Sequence, residues 1–157
     1  MNIGYIHLVT NHLPIIGIPV ALAFYLFALK KPNQTLLRYS TLVLSLLLLS
    51  TVIVFFTGEP AEDAIESING VLKSSIEDHE EIGKIAFIFA SISGALGLFT
   101  TFFKTTSDKP NIFHKALAAL TLLTILLLGW TGLKGGKIRH TEFNSNSAIQ
   151  DSAEKHD

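Results

Sequence analysis

The chain has 157 residues, 48% of them hydrophobic and only 16% charged, and twelve Lys and Arg against thirteen Asp and Glu leave a formal charge of −1. A soluble domain usually carries about a quarter charged residues, and the near-neutral balance excludes the basic surface that nucleic acid needs and an acidic disordered chain. With no cysteine, a disulfide scaffold, a thiolate zinc site, a cysteine-held iron–sulfur cluster and a thiol nucleophile are excluded, so a metal would rest on histidine, carboxylates or Met1.

Four apolar runs organise the chain. The first covers about residues 3–29 and is interrupted by His7, Asn11, His12 and two prolines. The second, third and fourth cover about residues 41–57, 85–103 and 116–133 without a charge. A helix needs about 20 apolar residues to cross about 30 Å of hydrocarbon. The runs are too long for strands and do not alternate polar with apolar. Since lipid leaves only helices or closed barrels, the predicted fold is all-α: a transmembrane four-helix bundle over residues 1–143. The first run lacks a basic leader and is longer than the apolar core of a signal peptide, so it is read as a retained span. Residues 144–157 are Ser-, Asn- and charge-rich and read as a disordered tail.

Charge orients the spans. The loops at 30–40 and 104–115 carry three basic residues each, Lys30, Lys31 and Arg38, then Lys104, Lys109 and Lys115. Residues 58–83 carry one Lys and eight acids. The positive-inside rule puts the basic loops in the cytoplasm and both termini in the periplasm, as expected of a multi-pass protein of a bacterial inner membrane. Lys84, Lys134, Lys137 and Arg139 lie on the outer side and dilute the bias.

That topology gathers His7, His12, Glu59, Glu62, His79, Glu80 and His140 at the outer end of the bundle, while His114 falls on the cytoplasmic side and His156 in the tail. His12 lies inside an apolar run, where a polar side chain usually faces the bundle interior and marks a site. Its alternative is a helix-start histidine bonded locally or to interfacial water. His7 stands about 140° from His12 around a straight helix, so both reach one ion only if Pro14 kinks the helix or its start is unwound. His79 extends the small-residue face Gly83, Ala86, Ala90, Gly94, Gly97, the kind of face on which membrane helices approach closely. Glu80 is rotated off it, and Glu77, Asp78 and Glu81 read as solvated helix-start acids.

Pro60 suits the first position of a new helix, so a short amphipathic extramembrane helix is predicted between spans two and three, from there to about Ser67. Glu59 and Glu62 would point together over the bundle mouth, or serve as ordinary helix-start acids. Gly135 and Gly136 would let the chain turn back and return Arg139, His140 and Glu142 to the mouth. Trp130 fits an interfacial belt.

His7-x4-His12-x-Pro14, the Gly-Glu-Pro-Ala-Glu stretch at 58–62, His79-Glu80 and the Gly-Gly-x-Ile-Arg-His ending at 135–140 resemble a family of small four-span bacterial membrane proteins of uncharacterised function. Some of its members look fused to redox modules, so the resemblance implies a redox neighbourhood and assigns no reaction.

The leading expectation is a transition metal (Zn, Fe, Mn or Cu) held by histidine and carboxylate at the outer mouth, with redox or hydrolytic work at an open position. The runner-up is haem b between two histidines for electron transfer, although these histidines lie at the bundle edge. The third is a cofactor-free structural or assembly subunit. A channel is disfavoured, because no ionisable residue sits at midplane. The expected partners are the lipid bilayer, other membrane redox proteins or a second copy, and no nucleic acid.

Overall fold

The computed structural model describes residues 3–31, 33–66, 73–103 and 112–139, and these form five helices: α1 (Ile3–Leu29), α2 (Gln34–Leu49), α3 (Thr51–Glu66), α4 (Lys73–Phe103) and α5 (Ile112–Arg139). Four stretches, Tyr5–Leu29, Gln34–Ala61, Lys73–Phe103 and Ile112–Ile138, are long and apolar enough to cross a membrane. The second combines α2 and α3. There Ser50 and Thr51 turn their hydroxyls onto the carbonyls of Leu47 and Leu48, both at 2.6 Å. Such back-bonding competes with the helix ladder and loosens it at that point. Chain direction is kept, since the Ile53 and Val54 amides still donate to the Ser50 carbonyl.

Each span packs on its chain neighbours, and α5 closes the ring against α1. The register of the buried faces explains this arrangement. On α1, residues 14, 18, 21, 25 and 28 are buried, a three-and-four spacing that keeps one stripe turned inward. On α5, the stripe is His114, Leu117, Thr121, Thr124 and, at the far end, Ile138. The α4 stripe is the small-residue face, with Ala86, Ala90, Gly94 and Gly97 buried. Gly97 lies against the Ser45 hydroxyl, and a Cβ at Gly94 would stand 3.3 Å from the Ser45 carbonyl. Both contacts show how closely α2 and α4 approach, as glycine permits. Several buried hydroxyls are satisfied within their own helices, as when Thr41, Ser45 and Thr101 donate to the carbonyls of residues 37, 41 and 97. Asn33 caps α2, its Oδ1 accepting from the Leu36 amide at 3.0 Å. Large apolar side chains such as Phe24, Leu126 and Leu133 are exposed, compatible with contact with lipid.

Two expectations are corrected. No new helix begins at Pro60; α3 runs through it to Glu66. Proline there costs only the bond to the Phe56 carbonyl, near the end of the helix, where fewer residues depend on it. Nor does the chain turn back at Gly135 and Gly136, because α5 stays helical to Arg139. Glycine is permissive in a helix, and packing decides its conformation. The tail at 144–157, residues 67–70 and the 104–111 loop lie outside the described residues.

Candidate functional site

Where α1 and α4 begin and α3 and α5 end, the helices enclose a cavity of about 380 Å³. Its polar lining includes His7 and Asn11 from α1, Glu59 from α3, and His79, Glu80 and Lys84 from α4. His7 and Asn11 continue the inward stripe of α1 upward by steps of four and three from Pro14. His79 stands four residues above Gly83 on the α4 face. The same packing registers that build the core therefore bring these two imidazoles into one space, close enough to interact electrostatically.

The hydrogen bonds fix the tautomer of each ring. His79 Nδ1 lies 2.9 Å from the Thr131 carbonyl. A carbonyl only accepts, so Nδ1 carries the proton and, in the neutral ring, the lone pair is on Nε2. His7 Nδ1 lies 3.1 Å from Thr57 Oγ1. That hydroxyl spends its own proton on the Ile53 and Val54 carbonyls, both at 3.0 Å, so it accepts from His7 Nδ1. Both histidines thus have Nδ1 anchored on a neighbouring helix, as in metal-ligating imidazoles oriented by an outer partner. Asn11 adds a third acceptor, since its buried Oδ1 has no hydrogen-bond partner among the described residues.

The walls hold the rings in place. A Cβ at Gly135 would lie 3.0 Å from His79 Cε1, and one at Gly58 3.6 Å from His7 Cε1. Lys134 Nζ pairs with Asp78 at 2.5 Å, tying α5 to the helix that carries His79. At the rim, Glu80 is paired with Lys84 at 2.6 Å.

His12 does not join this group. It is exposed on α1 and its Nδ1 donates to the Leu8 carbonyl at 2.6 Å. Glu62 belongs to α3 with its side chain outside the described set, and His140 lies beyond the described residues. Among the described residues, no three His, Asp or Glu side chains are grouped to hold a metal ion. The cavity lining brings together two imidazoles and one amide, with two carboxylates beside them.

Sequence reasoning missed a second histidine environment. At the opposite end of the bundle, His114 is buried, and the fully buried Tyr25 hydroxyl sits 2.9 Å from its Nδ1 and 3.1 Å from its carbonyl. This joins α1 to α5. The i, i+7 continuation of the α1 stripe from Ile18 to Tyr25 was the available signal.

No protein-family model matches the chain, and no curated protein or solved structure does.

Proposed function

We propose that this is a multi-pass membrane protein that binds a transition metal at one end of its four-span bundle, with Nε2 of His7, Nε2 of His79 and Oδ1 of Asn11 as ligands and Glu59 at the mouth. The observation that supports the reading is that two imidazoles, each held through Nδ1 by a neighbouring helix, and the unsatisfied buried Oδ1 of Asn11 line one cavity. A buried acceptor left unsatisfied costs about 1–3 kcal/mol, and a cation would satisfy Asn11 Oδ1. Imidazole and oxygen donors suit Zn, Fe, Mn or Cu. Such an ion keeps open positions for water or an organic oxygen, where hydrolysis or electron transfer takes place. By the positive-inside rule the site faces the periplasm of a bacterial inner membrane.

Haem b is the second reading, and one observation favours it. Much of the cavity wall is apolar, with Ile15, Val54, Phe55, Phe87 and Leu128 beside the two histidines, as a porphyrin between axial imidazoles requires. Element analysis and an absorption spectrum of the purified protein separate the readings. Stoichiometric metal without a Soret band is expected. A Soret band selects haem, and a chain free of any metal after loading and desalting overturns both.

A further inference from the structure

An ion accounts for only part of the cavity. With ligands at about 2.1 Å it fills a small corner of about 380 Å³. The remainder falls in the size range of small-molecule sites, about 300–1,000 Å³, and is walled by Phe55, Phe56, Phe87, Ile15 and Leu128. Ile15 on α1 and Phe56 on α3 belong to this lining. At the polar end stand the two imidazoles and the unsatisfied Asn11 Oδ1, which asks for an O–H donor or a metal-bound oxygen. Glu59 at the rim disfavours anions, while Glu80 is paired with Lys84. An aromatic wall and an acceptor end describe an amphiphile with a neutral hydroxyl on a flat ring.

We propose that the cavity binds a lipid-soluble aromatic alcohol, a phenol or hydroquinone bearing an apolar tail, with the ring against Phe55, Phe56 and Phe87 and its hydroxyl oxygen at the His7–His79 end. This deepens the preceding reading and rests on it, because the same Nε2 pair holds the metal beside which the hydroxyl docks. The aromatic wall favours a ring over a saturated chain, since stacked or edge-on rings gain more than area burial alone. A fatty-acid carboxylate brings the wrong charge to Glu59.

The test uses the full chain in phosphatidylcholine nanodiscs loaded with zinc, which is redox-inert, so that binding alone is read. Equilibrium dialysis with decylhydroquinone, against empty nanodiscs, is compared with decanol and decanoic acid. Saturable binding of one hydroquinone per chain, at least about tenfold tighter than either aliphatic compound, is the expected result. Ile15→Trp, which fills part of the cavity, and Phe56→Leu, an exposed position that folding tolerates, should each weaken binding with zinc content unchanged. Hydroquinone uptake equal to that of empty nanodiscs, or no preference over decanol, overturns the inference even when zinc is bound. If zinc fails to bind, the metal reading falls by itself; dialysis of the metal-free chain then decides the hydroxyl site, because both Nε2 atoms still accept an O–H.

Discussion

His7 and His12 are five residues apart on one helix, yet only His7 lines the cavity, because the inward stripe of α1 runs 7, 11, 14, 18 and leaves 12 outside. The exposed His12 satisfies itself on the Leu8 carbonyl. Replacing His7 or His79 by Ala should therefore remove most of the bound metal, whereas His12→Ala and His114→Ala keep it, as element analysis of the purified variants would show. Equal metal in all four variants contradicts the assignment. Tyr25→Phe should lower stability by about 1 kcal/mol, the net worth of one hydrogen bond, without altering metal content; thermal unfolding in detergent measures it. The histidines were legible as candidates from the sequence, since polar residues near membrane depth are few. Which of them turns inward was not legible from polarity. It follows from the apolar stripe further down each helix, which has to be extended upward to the polar end before His7 separates from His12.

Helix–helix contact does at the element scale what glycine makes possible. His79 rests on α5 through the Thr131 carbonyl and the bare backbone of Gly135. A methyl group at Gly135 would press on the imidazole, while Ala improves helix propensity by up to about 1 kcal/mol. Gly135→Ala should thus weaken metal binding by roughly 10–100-fold, the usual cost of disturbing an orienting partner, with helix content and melting temperature unreduced. Competition against a chelator gives the first quantity and circular dichroism the second. Toward the other end of the same α4 face, Gly97→Val should act only on stability. The added methyls meet Ser45 and Leu117, and overpacking of this kind costs about 1–3 kcal/mol. The sequence showed the α4 small-residue face because its spacing is helical. It misled at Pro60 and Gly135 because propensity marks where a helix can stop, whereas tertiary packing carries α3 and α5 past both positions.

Taken whole, the chain has four apolar spans arranged in sequence order around a core of aliphatic, small and hydroxyl-bearing residues, with a polar-lined cavity at one end. The spans were readable from length and hydropathy, for the bilayer dictates both. Their sidedness depends on loop charge, and a C-terminal reporter that is active only in the periplasm is the expected outcome; cytoplasmic activity would invert the bundle and expose its histidine end to the cytoplasm. Metal binding is also a property of the assembled molecule, because its proposed ligands come from α1 and α4 and are oriented by α3 and α5. Protons compete with a metal for imidazole, so retention should fall as the pH drops. The most direct measurement is metal per chain after desalting, for the wild type and for His7→Gln, His79→Gln together, at about pH 7.5 and about pH 5.5. Near one metal per wild-type chain at the higher pH, a marked loss at the lower pH, and none in the double variant at either is the predicted pattern. Metal content that is indifferent to both the substitutions and pH, or absent throughout, would contradict the account.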